Sequence, residues 1–423
     1  DNQQRPMILF NWFLILFLII FLFSLVFELV VARLNIGHLR RHGEHVPVVF
    51  DGFLDLKDLK RINRYTIDNH RLGLLQTVVD KAFFLVILLC GFLPFLAIRL
   101  ANMGTVMAGL IFFAVLGIVS AIFELPFGYY HKFVIEQRWG FNTQTIKAWI
   151  IDLLKGALLS IILGGILLGA LLFLLAESGN HWWLWAWGLF FGFQLLLTVL
   201  YPNLIAPIFN TFTPLPESDL KNRIEALAKT QGLHISGIFQ MDATQRTKHT
   251  NAYFAGLGRT KRIVLYDTLL EAHTPDEIIA ILAHEIGHFK KGHLKLQLLV
   301  ACVTSFVLFA SANLLLGWEG LYQSFGFDGK PVYAGFFLVG AIWGPVGYFL
   351  SPLSMALSRH FERQADDYAL KTIKDAGPIV TAFKKMAREN LANLWPHPIF
   401  VRFNYSHPPL PERIARLTKH TTL

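Results

Sequence analysis

His284-Glu285-Ile286-Gly287-His288 is the stretch of this chain whose residue types and spacing can do chemistry. Histidines four apart project from one face of a helix, so both imidazoles reach a single metal ion. The glutamate that follows the first histidine then lies beside the ion's open position, where it serves as base for an attacking water. The chemistry implied is metal-assisted hydrolysis with one Zn²⁺ per chain, held by His284 and His288 with Glu285 as the base.

The helix that must carry this motif has its own start and stop signals. Thr274-Pro275-Asp276-Glu277 places threonine at the cap, proline at the first helical position and glutamate at the third, which is a capping box. Lys291-Gly292 marks the end, where glycine supplies a left-handed cap. The flanks Ile281, Leu282, Ile286 and Phe289 are apolar, as expected of a helix packed into protein. A third ligand is still required. His293 follows His288 by five residues, whereas the metzincin spacing needs six with a glycine between, so a distal glutamate fits better. The candidates are Glu319, Glu362, Glu389 and Glu412.

Membrane topology chooses among them. The 423 residues are 54% hydrophobic and only 16% charged, which excludes an ordinary soluble protein, in which roughly a quarter are charged. Aromatics at 14% exclude intrinsic disorder. Cys90 and Cys302 both sit inside apolar runs, so neither a disulfide framework nor a cysteine metal site is available. Seven runs approach the length needed to cross hydrocarbon, near 7–31, 82–98, 103–125, 156–176, 182–205, 294–318 and 332–357. The first is too long for a secretory signal and lacks a small-residue cleavage site, so it is expected to be a retained anchor. If all seven cross, one side holds only Arg5, Arg99 and Lys330 of the 38 Lys and Arg. The other, basic side is then cytoplasmic, and the net charge of +9 records orientation in a bilayer and no nucleic-acid partner.

That sorting puts Glu319 on the face opposite the motif. Glu362 is preferred because it follows directly on the seventh run, near the surface where the sixth run begins just after the motif helix. Asp366 lies one turn beyond it on the same face, placed to accept a proton from the free nitrogen of a ligating histidine. The fold class expected is mainly α, a polytopic membrane protein with seven spans and a metallopeptidase lobe containing a small sheet at the cytoplasmic face. Residues 1–206 carry five spans, 207–293 the lobe with the motif, 294–357 two more spans, and 358–423 the third ligand. Residues 32–81 and 126–155 are expected as surface helices. In the lobe, Leu220, Ile224 and Leu227 recur at helical spacing before Gly232, and 233–241, 250–255 and 262–266 are expected strands, the last two joined by Gly-Leu-Gly-Arg. Glu28, Glu124, Asp152 and Gln194 are costly in lipid and should face protein or water.

With these residues in hand, the sequence resembles the CAAX prenyl protease 1 family of membrane zinc metalloproteases. The likeness rests on His284-Glu285-x-x-His288, on Glu362-Arg363-Gln364-Ala365-Asp366, and on Arg246-x-x-His249-x-Asn251-Ala252-Tyr253-Phe254-x-Gly256. It extends to Phe133-Val134-Ile135-Glu136, Gly140-Phe141-Asn142 and Ser406-His407-Pro408-Pro409 with Glu412-Arg413. The resemblance implies a gluzincin site with zinc on His284, His288 and Glu362, and Glu285 as general base and acid. It implies that Asn251, Ala252 and Tyr253 form an edge strand aligning substrate backbone, and that His407 and Arg413 hold substrate or the developing oxyanion. It implies seven helices around a water-filled chamber, and removal of the last three residues of prenylated CAAX proteins.

The expected function is therefore that of an integral-membrane zinc endopeptidase acting on membrane-associated or prenylated polypeptides. A quality-control protease of membrane proteins is one rival. A transporter or scaffold with a structural metal site is the other; Glu285 argues against it, since a structural site needs no base. The expected location is the endoplasmic reticulum or nuclear envelope of a eukaryote, or the inner membrane of a bacterium, and no retrieval signal stands at the end of the chain.

Overall fold

The structure, a computed structural model, describes residues 8–256 and 261–419. Arg5, the turn through Leu257 and Gly258, and the tail beyond Lys419 lie outside the described residues. Among those described, seven helical stretches are long and apolar enough to cross a membrane: Trp12–His42, Leu56–Leu89, Thr105–Trp139, Ile146–Glu177, Gly179–Phe209, His293–Leu316 and Val332–Ile373. Side-chain caps start several of them, with Asn11 accepting from the Leu14 amide and Thr145 from the Ala148 amide.

The second apolar run does not form the span expected of it. Its helix breaks after Leu89, where Gly91 takes φ +79° and a separate short helix, Phe92–Leu100, begins. The crossing helix instead reaches back to Leu56, through residues expected on the surface. At 1.5 Å per residue, its 34 residues run about 50 Å, well past a hydrocarbon core of about 30 Å. Its charged first half therefore projects as a stalk beyond the bilayer. Hydropathy located the apolar half and had no means of joining it to the polar half. Trp12–His42 and Val332–Ile373 overrun the core in the same way.

Between the spans, one core cluster gathers Phe17, Phe21, Phe112, Tyr322, Phe325 and Leu338 from five segments of the chain. Beyond them lies a four-stranded sheet of β1 (Phe212–Pro214), β2 (Gly237–Met241), β3 (Ala252–Ala255) and β4 (Arg262–Tyr266), in the order β1-β2-β4-β3. β1 is a strand that alternation did not reveal, because Phe-Thr-Pro is too short to show a period. β2 and β4 are parallel, while β3 pairs antiparallel with β4 and forms an edge of the sheet. Ile238, Ile263 and Leu265 pack on Ile278, Ile281 and Leu282, so the sheet lies directly on the motif helix.

Candidate active site

The motif helix spans Pro275–Lys290 and begins as its sequence requires. The Thr274 amide donates to Glu277 Oε2 at 2.8 Å, and the Glu277 amide donates to Thr274 Oγ1 at 3.4 Å. Glu277 is also paired with Lys385 Nζ at 2.8 Å, which ties the cap to the helix Gly377–Glu389. Buried Ala280, Ala283, Leu282 and Ile286 press the helix between the sheet, that helix and the C-terminal end of Val332–Ile373. A helix enclosed on so many sides has little freedom to move its histidines.

Glu362 comes from the last third of Val332–Ile373, which crosses the motif helix at Gly287. His284 Nε2 lies 3.2 Å from His288 Nε2, His288 Nε2 lies 3.2 Å from Glu362 Oε1, and His284 Nε2 lies 3.5 Å from Glu362 Oε2. Ligands held tetrahedrally at about 2.0–2.1 Å from zinc stand about 3.3 Å apart, so the donors already have the spacing of the metal's coordination edges. Glu362 Oε2 is buried, with His407 Nδ1 at 2.9 Å and Arg413 Nη1 at 3.3 Å but no hydrogen bond of good geometry, so a cation held between it and the two histidines would complete it. The residues present therefore fit a metal ion.

Around them the charges are ordered. Asp366 Oδ1 lies 2.9 Å from His284 Nδ1, and Asp366 in turn takes Arg413 Nε at 3.0 Å and Nη2 at 2.5 Å. Asp366 is 1% exposed and Arg413 8%, so this is a buried bidentate pair, with the guanidinium also lying 4.1 Å from the centre of the Phe383 ring. Burial alone would lower the His284 pKa, but the hydrogen bonds to Asp366 and Glu362 outweigh it and push the metal-free imidazole up to about 9. Burial raises the pKa of the Glu285 carboxyl, with the two histidines and Arg413 pulling against that rise. A carboxyl shifted upward is better matched to taking and returning a proton near neutrality.

Other sequence candidates fall into place around a pocket of about 590 Å³. Asn251, Ala252, His284, Glu285, Glu362, His407 and Arg413 all line it. His407 is 63% exposed, with Nδ1 2.9 Å from Glu362 Oε2. Tyr253 does not line the pocket; it packs with Met241 and Val264, and only its backbone belongs to the β3 edge. Asn251 accepts from the Ala252 amide at 2.8 Å. The rejected glutamates are engaged elsewhere: Glu319 with Lys330, Glu389 with Arg388, and Glu412 with Arg363.

Two features were not foreseen. Tyr405, Asn404 and Asn393 line the pocket from segments with no periodic signal. And Glu136 joins Tyr65 Oη at 2.7 Å to His249 Nε2 at 3.2 Å, while Phe141 stacks on His249 at 4.0 Å. His249 Nδ1 then meets Asn390 Oδ1 at 3.0 Å. This network braces the stretch leading into β3 against the stalk of the second span. Glu136, Phe141 and His249 belong to the stretches that carry the family likeness, Tyr65 and Asn390 do not, and nothing in their spacing revealed that they meet.

Fold and site together define a class, the polytopic membrane metalloproteases. The pattern described as CAAX prenyl protease N-terminal, five membrane helices, matches residues 35–211, and that of peptidase family M48 matches 214–421. A CAAX prenyl protease 1 homolog of Arabidopsis thaliana is 40% identical over 70% of both chains, and one of Oryza sativa 35% identical over 88% of this chain and 90% of its own. The crystal structure of S. mikatae Ste24p superposes with TM-score 0.89 at 30% identity, covering 95% of this chain and 98% of that one. The chain belongs to the CAAX prenyl protease 1 family within peptidase family M48, and is a multi-pass membrane metallo-endopeptidase.

Proposed function

We propose that this protein hydrolyses peptide bonds near the C-terminus of prenylated CAAX-type polypeptides, with Zn²⁺ held by His284, His288 and Glu362. The observation that carries the reading is the convergence of three ligand atoms at coordination spacing, two of whose residues, His284 and Glu362, line a pocket that Asn251 and Ala252 of the strand edge also line. Bound there, the ion supplies Lewis acidity that polarises the scissile carbonyl and acidifies water.

The chain's own residues do the rest. The β3 edge, with Asn251 and Ala252 at its entrance, aligns an extended substrate backbone through main-chain hydrogen bonds, which accept many sequences. Glu285 takes the proton of the attacking water and returns it to the leaving amine. Asp366 holds His284 by its Nδ1–H, and Arg413 keeps Asp366 ionised in its buried position. His407, exposed at the mouth, donates to substrate or to the developing oxyanion. A cavity between spans lined by Glu28, His70 and Tyr348 adjoins the pocket at Asn404, which lines both, and offers room beside the site for a lipid-bearing substrate. Glu124 and Asp80 line another such cavity, and Asp152 is paired with Arg246 at 3.0 Å, so polar residues in the spans face space or partners inside the protein. The basic-side rule favours a cytoplasmic site; of the proposed boundaries at 206, 293 and 357, the last falls inside the unbroken helix Val332–Ile373.

The test uses purified protein with a farnesylated CAAX peptide, its unprenylated twin and an unrelated peptide. Preferential cleavage of the farnesylated peptide is expected, with Glu285→Gln losing about 10²- to 10⁴-fold in rate while keeping its metal. Equal cleavage of all three peptides would favour quality control; no cleavage of any would refute the reading.

A further inference from the structure

His293, rejected as a ligand by its spacing, is the group nearest the outer nitrogen of His288. It follows Gly292, whose φ of +70° turns the chain between two helices and brings the His293 ring back against the motif. The ring is 3% exposed and stacks flat on Phe361, with centroids 4.2 Å apart and planes at 12°. Its Nδ1 lies 2.9 Å from His288 Nδ1, and its Nε2 lies 2.8 Å from Gln364 Oε1. Gln364 Nε2 continues to His360 Nε2 at 3.0 Å. Phe361, Gln364 and His360 all belong to the helix that delivers Glu362.

The protons in this chain have one arrangement compatible with metal binding. His288 Nε2 faces His284 and Glu362 and must keep its lone pair, so the His288 proton sits on Nδ1. Only one proton fits between two Nδ1 atoms, so His293 accepts there and carries its own proton on Nε2, which donates to Gln364 Oε1. The Gln364 amide then donates to His360. The opposite polarity would put a proton on His288 Nε2 and block the site.

We propose that His293, oriented by Gln364, is a positioning residue that sets the tautomer and ring angle of His288. The two histidine ligands are then held by different devices: His284 by the Asp366 carboxylate and Arg413, His288 by a neutral imidazole–amide relay. The inference rests on the metal reading above. It also ties the two ligand-bearing helices together by a second route, independent of the metal.

The test is zinc release into a chromogenic chelator from purified protein, with Co²⁺-substituted protein giving a visible spectrum of the site. His293→Leu is expected to release zinc at least about tenfold faster and to alter the cobalt spectrum. His293→Asn, which keeps an acceptor at the Nδ1 position, is expected to restore most of both. Gln364→Glu, an acceptor only, is expected to hold zinc as long as the parent or longer. Should His293→Leu not fold, Gln364→Glu and Gln364→Leu make the same comparison. Release at the parent rate from His293→Leu, or equal loss in His293→Asn and His293→Leu, overturns the inference alone. A parent protein that retains no zinc, or a His288→Ala variant that retains as much, overturns the metal reading and this inference with it.

Discussion

Gly287 is the position where the smallest substitution should do the most damage. It stands inside the motif, where the helix Pro275–Lys290 meets Val332–Ile373, and a Cβ built on it would lie 2.9 Å from Ala365 Cα, 3.0 Å from Ala365 O and 3.0 Å from Tyr368 Cβ. Carbon atoms in ordinary contact keep about 3.5–4.0 Å, so Gly287→Ala needs roughly 0.6–1 Å of separation. Two of the three obstructing atoms are backbone and cannot rotate away. The helices must therefore part, and they carry His284 and His288 on one side and Glu362 on the other. Overpacking of this kind costs about 1–3 kcal/mol, which a well-packed fold survives. Coordination tolerates only about 0.2 Å, so the metal site fails before the fold does. Gly347→Ala is the control: it lies in the same long helix, its Cβ would meet nothing within 4 Å, and it should gain roughly 0.5–1 kcal/mol of helix stability. The assay compares metal content after dialysis against a weak chelator, peptidase activity and thermal midpoint in both variants. Full metal occupancy and full activity in Gly287→Ala would refute the reasoning.

Other consequences are as direct. Arg413→Ala leaves the 1%-exposed Asp366 without its cation and should cost about 3–5 kcal/mol in a denaturation experiment, whereas the double variant Arg413→Met with Asp366→Leu should regain most of that stability without activity. Because the metal-free His284 pKa is pushed up to about 9, a metal ion binding there would displace its proton at neutral pH. Calorimetry in two buffers should therefore count about one proton released at pH 7, with affinity rising as pH climbs towards 9; release of none would contradict the geometry. The sign for the metal-free protein is the reverse: a raised folded-state pKa adds stability that is complete below about 6.5 and is lost as pH rises through about 9. Glu136→Gln and His249→Leu loosen the brace behind the β3 edge, and should raise KM for peptide several-fold while changing kcat little; an unchanged KM would show that the strand is held without them.

What the sequence revealed follows the range of each signal. The capping box, Gly292 and the histidine pair are local, and all could be located from a dozen neighbouring residues. Glu362 is 74 positions beyond His288, and it was reached only because a membrane restricts which segments can meet. Hydropathy counts apolar residues, so it reached the number seven but misplaced the second crossing, whose helix breaks after Leu89 and reaches back into the polar stalk from Leu56. The relay through His293 and the brace through Glu136 were illegible for a further reason. Both depend on which way a ring turns once two helices have packed, and no one-dimensional period carries that information.

The last of the long apolar helices explains why the site is built at the edge of the apolar region. Val332–Ile373 begins among the spans, is packed at Tyr333, Leu338 and Val339, and ends with Glu362, Asp366 and the Gln364 relay outside the apolar stretch. One element thus fixes Glu362, the proposed third ligand, together with Asp366 and Gln364 relative to the apolar stretch. A substrate held by a lipid anchor has its cleavable bond at a limited height above the membrane, so a catalytic centre on such an element needs no mobile arm to meet it. This predicts that lengthening Val332–Ile373 by one turn between Leu357 and Arg359, about 5.4 Å of rise, leaves the metal site intact only if its lobe partners move as a unit. Cleavage of a membrane-anchored peptide should then fall far more than cleavage of a short soluble one. Equal losses on both substrates would mean that height above the bilayer plays no part.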